Sequence, residues 1–220
     1  MENGRGGMPV DGPLGLARFL EKPKRAVPGE KCEFCAVDIP EDHKHVANIE
    51  SRTVMCACTP CYFVFSPEGA SRGKYRAIPD DYLYAKDFSL SQAQWDDLQI
   101  PVNLAFMFLN SELGQMVAFY PSPAGATESL LPLDTWAEVV AANPFIEGLQ
   151  PDVEALLFYR PRDGAAECFL VPIDACYHLV GLIKLNWRGF DGGQEAWEKI
   201  DAFFAGARDR ARVIEATSSR

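Results

Sequence analysis

Cys32-Glu-Phe-Cys35, followed after one hairpin's length by Cys58-Thr-Pro-Cys61, sets how the N-terminal part of this chain is built. Each pair has the two-residue gap that lets both thiolates reach one tetrahedral ion, and the stretch between them has no room for a domain. His45-Val-Ala-Asn-Ile-Glu50 and Thr53-Val-Met-Cys-Ala57 read as two short strands turning at Ser51-Arg52. Residues 58–65 read as a helical turn or two, with Pro60 at an early position where its missing N–H costs nothing. Knuckle, hairpin and a second cysteine pair at a helix start is the order of a treble-clef zinc module, expected over residues 30–78. Backbone N–H groups of the knuckle and the positive end of the helix would both favour thiolate charge.

The expected metal ligands are therefore Cys32, Cys35, Cys58 and Cys61, with Zn2+ as the ion and iron as the alternative that four thiolates also suit. Cys56 is an alternative to Cys58 or a redox thiol, and His45 a further candidate ligand. A site closed by four thiolates has no position for water, so it stabilises structure and does no catalysis. Five cysteines with His43 and His45 also leave room for two metals. His43-Lys-His45 invites comparison with treble-clef nucleases. That chemistry needs a polar partner on the following helix, and Tyr62-Phe-Val-Phe65 is apolar throughout.

Outward from the cysteines, residues 1–29 read as a flexible segment with a short helix at Leu14 to Leu20. Residues 79–207 read as an α+β domain and residues 208–220 as a flexible tail. Ser91-Gln-Ala-Gln94 has capping-box spacing, with Leu90 and Trp95 placed as a hydrophobic staple. The domain looks like one pattern used twice. Strands at 102–109 and 116–120 precede a helix from about Asp134, and strands at 153–159 and 167–171 precede a helix to about Trp187. A last helix, Gln194 to about Ala207, sets Trp197, Ile200, Phe203 and Phe204 at helical spacing. Two strand–strand–helix units predict a mainly antiparallel sheet with helices packed on it. The first strand is apolar at nearly every position and should be covered on both faces.

Charge narrows the function classes. The chain of 220 residues carries a formal net charge of −10. Residues 1–78 hold eleven Lys or Arg against ten Asp or Glu, and residues 79–220 hold ten against twenty-one. An acidic domain argues against nucleic-acid binding and against anionic membrane surfaces. No apolar run is long enough to span a membrane, and the start of the chain lacks a signal-peptide pattern. A cytoplasmic protein that meets other proteins is expected. Asp174-Ala-Cys176-Tyr-His178 is no ready dyad, because residues two apart on a helix diverge. Asp174 reads as a helix cap, Cys176 as core and His178 as a buried histidine. The loops at 121–129 and 187–193 read as surface connections that a partner can use.

The motifs together resemble a known family. Cys-x-x-Cys, His-x-His-Val, Cys-Ala-Cys-x-x-Cys, Ile-Pro-Val-Asn-Leu-Ala-Phe, Tyr-Pro-Ser-Pro-Ala-Gly-Ala-Thr-Glu-Ser, Pro-Asp-Val-Glu-Ala-Leu-Leu and Trp-Arg-Gly-Phe-Asp-Gly-Gly are similar to those of an uncharacterised bacterial family. It is mainly actinobacterial, and its members tend to be encoded beside uptake nickel–iron hydrogenase genes. The resemblance covers roughly residues 30–206. It implies a non-enzymatic accessory role in hydrogenase maturation or assembly, with a hydrogenase subunit or maturation factor as partner. An iron-binding redox or metal-delivery protein is the alternative.

Overall fold

The computed structural model describes residues 30–98, 100, 103–122, 125–129, 133–161, 166–189 and 192–217. The expected helix at Leu14 to Leu20 lies outside them. In chain order the elements are β1 (Lys44–Asn48), β2 (Thr53–Ala57), α1 (Thr59–Phe65), β3 (Tyr75–Ala77), β4 (Leu83–Ala85) and α2 (Gln92–Asp97). There follow β5 (Leu104–Asn110), β6 (Gln115–Ser122), β7 (Gly125–Ser129), α3 (Leu133–Ala142), β8 (Glu154–Tyr159) and β9 (Glu167–Pro172). The chain then runs through α4 (Ile173–Asn186), α5 (Gly193–Arg210) and β10 (Arg212–Ile214).

The strands form two sheets. A three-stranded sheet has the order β2-β1-β3, and a seven-stranded sheet the order β10-β4-β9-β8-β5-β6-β7. All ladders are antiparallel except β10 on β4. The two apolar hairpins meet through their first strands, with Phe106 opposite Leu157 at the centre. Alternation along β5 and β8 then splits the core. Leu104, Phe106, Leu157 and Tyr159 face α4 and α5, and Ala105, Met107, Leu156 and Phe158 face α2 and α3. The whole of β8 is buried, as a strand covered on both faces must be.

Several expectations from sequence differ from what is observed. The helices of the two strand–strand–helix units lie on opposite faces of the large sheet. Trp136 and Val139 of α3 pack on one side, and Cys176, Leu179 and Ile183 of α4 on the other. The duplication is thus one of pattern and not of packing. Part of the expected 121–129 loop is strand, because β6 runs to Ser122 and pairs back onto β7. Residues 208–217, read as a tail, complete α5 and then supply β10, with Arg212 N–H donating to Tyr82 O at 2.9 Å. Tyr75–Ala77 adds a third strand to the small sheet by pairing with β1.

Local signals did hold where the geometry is self-contained. Gln94 N–H donates to Ser91 Oγ at 3.2 Å and Ser91 N–H donates to Gln94 Oε1 at 3.0 Å, which is the reciprocal capping box. Ser91→Ala should cost about 1 kcal/mol, seen as a lower urea midpoint with an unchanged slope. One glycine is required by packing as well as by backbone. Gly192 has φ +90°, and a Cβ there would meet the Trp187 ring at 3.0 Å. Gly192→Ala should cost at least the roughly 1–2 kcal/mol of a left-handed non-glycine residue, read as a lower thermal midpoint.

Polar groups inside the core are tied down. Asn143 is fully buried, and its side chain donates to Ser89 O (2.9 Å) and Val139 O (2.8 Å) while accepting from Ser89 N–H (2.9 Å). It thereby joins the end of α3 to the approach to α2. Glu154 is buried too and accepts from Gln150 N–H at 2.8 Å. Such groups persist in a core because each has a partner.

Candidate metal centre

The small sheet positions the cysteines by backbone hydrogen bonds. Cys32 N–H donates to Val37 O (2.9 Å) and Ala36 N–H to Cys32 O (2.8 Å), closing a tight knuckle with Ala36 at φ +60°. The knuckle is held against β2, since Glu33 N–H donates to Cys56 O (2.9 Å) and Cys56 N–H donates to Glu33 Oε2 (2.8 Å). At the far end of β2 the chain turns into α1. Cys58 is its N-cap residue and Cys61 lies in its first turn, one residue after Pro60. Phe34, Phe65 and Tyr75 pack around one another between knuckle, helix and β3, with centroids 4.6–5.4 Å apart.

All four expected sulfurs converge. The Sγ atoms of Cys32, Cys35, Cys58 and Cys61 lie within 4.8 Å of one another, and Cys35 and Cys58 are 3.6 Å apart. A tetrahedron with metal–sulfur bonds of about 2.3 Å has an edge of about 3.8 Å, so the donor set fits one ion. Soft thiolates in this geometry suit zinc or iron. No disulfide links any of the cysteines.

The electrostatics are unequal around the group. Burial opposes ionisation of Cys32, yet the backbone N–H groups of Cys58, Phe34 and Cys35, with the Cys35 thiol, draw it down to about 6. Burial, then the thiols of Cys58, Cys35 and Cys32, push Cys61 up to about 12. Four negative sulfurs at this spacing repel one another, and a cation is what relieves that repulsion. Metal uptake must therefore displace the Cys61 proton.

Two alternatives considered from the sequence are not in this group. Cys56 stands directly opposite His45 in the β1–β2 ladder, so both side chains share one face of the hairpin. Strand alternation would send Cys58 to that face as well, but the chain has already left the strand and turned into α1. Instead His45 and Cys56 gather with His43, one donor atom of each lying within 4.8 Å of the other two. Burial, and next the carboxylates of Glu30 and Glu33, raise the Cys56 thiol above its ordinary value. That disfavours the redox-thiol reading, which needs a ready thiolate.

The helix α4 corrects two further assignments. Asp174 does not cap the helix. It sits in the first turn, and its Oδ2 accepts from His45 Nδ1 at 2.7 Å, joining the large sheet's helix to β1. His178 is exposed, with its ring 6.1 Å from that of Phe203. Cys176 is core as expected, fully buried beside Leu179 and Ile183, and burial pushes its thiol well up. A buried neutral thiol facing apolar neighbours is no nucleophile. The contact of Asp174 with His45 had no local signal, because the two residues are far apart in the chain.

An α+β chain with two sheets and a four-cysteine group able to bind a metal ion is what fold and site define. The chain belongs to the family of unknown function DUF5947, whose model matches residues 31–211. Neither a curated protein nor a solved structure matches the chain. Among the described residues, no helix is long and apolar enough to cross a membrane.

Proposed function

We propose that this protein is a non-enzymatic accessory factor with a structural zinc ion in a treble-clef module, and that it binds a protein partner during nickel–iron hydrogenase maturation or assembly. The observation that carries the reading is the closed set of four cysteine sulfurs from a knuckle and a helix start. Four thiolates fill a tetrahedral ion's coordination sphere and leave no place for substrate or water. The module buries little of its own, chiefly Cys32, Ile39, Val46 and Ala57, so an ion has structural work to do there. Phe63 and Val64 of α1 are each 64% exposed, an apolar surface beside the metal group that suits protein contact. The hydrogenase link rests on the resemblance of the motifs to a family encoded beside those genes. The protein acts in the cytoplasm, where thiols stay reduced.

The test is elemental analysis and an absorption spectrum of the full chain made in its native host, followed by affinity capture. A colourless protein with tightly held zinc that recovers a hydrogenase subunit or maturation factor is the expected result. Phe63→Ser with Val64→Ser should abolish capture and leave the zinc in place. A coloured, iron-loaded protein would replace zinc by the iron-binding redox reading. Capture of no hydrogenase component would overturn the partner.

A further inference from the structure

The second group of donors has features that neither a structural hairpin nor the four-cysteine ion requires. The side chain of His43 is 6% exposed. Its Nδ1 faces the carbonyl oxygens of Pro40 (2.9 Å) and Glu41 (3.1 Å), which only accept, so Nδ1 carries a proton and, in the neutral ring, Nε2 holds the lone pair. That Nε2 is buried and has no hydrogen-bond partner. Glu30 Oε2 stands 3.4 Å from it and, as a carboxylate, is another acceptor. A cation between them removes the opposition of the two lone pairs. Two ligands on one tetrahedral ion with bonds of about 2.0–2.1 Å stand about 3.3 Å apart, close to that spacing.

His45 is arranged in the same way. Its Nδ1–H is spent on the Asp174 carboxylate, leaving Nε2 as its ligand position. An imidazole that gives one N–H to a carbonyl or carboxylate and turns the other nitrogen inward is the usual outer-shell arrangement of a metal-bound histidine. Both rings give their Nδ1–H away in this manner, His43 to the carbonyls of Pro40 and Glu41 and His45 to Asp174. Cys56 supplies a sulfur from the facing strand, and both histidines line a cleft shared with Tyr82, His178 and Arg210.

We propose that His43, His45 and Cys56 bind a second divalent ion of the zinc class, with a fourth position that opens on this cleft or is taken by Glu30. Three protein ligands and one exchangeable position distinguish it from the closed four-cysteine group. One thiolate leaves a divalent ion with a net positive charge, which Glu30 balances at close range. Asp174 is a positioning residue, because it orients His45 and does not reach the ion.

The test uses the full chain, stripped with a chelator and refilled with Zn2+, with zinc counted per chain by elemental analysis. Two ions are expected for the unaltered chain, and one for His43→Ala and for Cys56→Ser. Asp174→Asn should keep both ions but weaken the second about 10- to 100-fold in a chelator competition. Refilling with Co2+ gives a folding-independent check, since the thiolate-to-cobalt band should lose intensity in Cys56→Ser while circular dichroism is unchanged. One zinc per chain in the unaltered protein overturns the proposal and leaves the four-cysteine site standing. So does a count of two that neither substitution lowers. Loss of zinc confined to substitutions of Cys32, Cys35, Cys58 or Cys61 has the same meaning.

Discussion

Cys61→Ser should release the ion held by the four-cysteine group and loosen the small sheet, while the large sheet keeps its structure. Structural zinc contributes an apparent ~10–16 kcal/mol in zinc-finger peptides at neutral pH, far more than a short hairpin and a seven-residue helix supply. Cys61 lies in the first turn of α1, so its loss frees the helix from the knuckle as well as from the metal. The aromatic trio of Phe34, Phe65 and Tyr75 would then be the main remaining tie between knuckle and helix. Amide exchange followed by mass spectrometry checks the result. Faster exchange is expected across β2 and α1, with β5, β8 and β9 protected as before. The inner strand β1 should respond less than β2, because Ala47 and Ile78 share a core with Leu104 and Phe169 of the large sheet. A variant that keeps its full metal content and exchange pattern would refute the ligand assignment.

Phe204→Ala should be among the costliest single changes around the large sheet. The ring is fully buried on α5, stacked on Tyr159 with centroids 4.1 Å apart and set against Phe169 at 5.9 Å. It therefore couples α5 to β8 and β9 together. Truncating a buried phenylalanine costs about 3–5 kcal/mol from lost transfer energy and the cavity left behind. In a chain of this length that lowers the melting temperature by roughly 6–20 °C. Tyr159 would also lose the stack that steadies its hydroxyl, which donates to Asp201 Oδ1 at 2.6 Å. Metal content should be unchanged, since Phe204 packs on Tyr159 and Phe169 of the large sheet. Calorimetry and elemental analysis on the same sample separate the two readouts.

Short-range chemistry was legible in the chain and long-range placement was not. The capping box at Ser91 appears where residue type and spacing put it, and the hairpin turn includes Ser51-Arg52 but begins two residues earlier than expected, since Asn48 already pairs with Thr53. Each is set by atoms within a few residues. His178 was misplaced because apolar residues flank it on a helix of mostly apolar sequence, whereas burial is confined to Ile173, Ala175, Cys176, Leu179, Val180 and Ile183. The strands β4 and β10 were missed because three residues are too few for a period to show. They exist by pairing with each other, β4 also lying against β9. No local pattern announces such short strands.

The two metal groups divide along the same line. Two matched Cys-x-x-Cys pairs specify a four-sulfur group through chain connectivity alone, since a knuckle and a helix start each present both of their thiols on one side. The gathering of His43, His45 and Cys56, oriented by Asp174, needed the register of β1 on β2 and the docking of the first turn of α4 against them. That docking comes from apolar packing between the sheets, which is non-directional and spread over many residues, so the polar contacts it brings together leave no mark in the order of the amino acids.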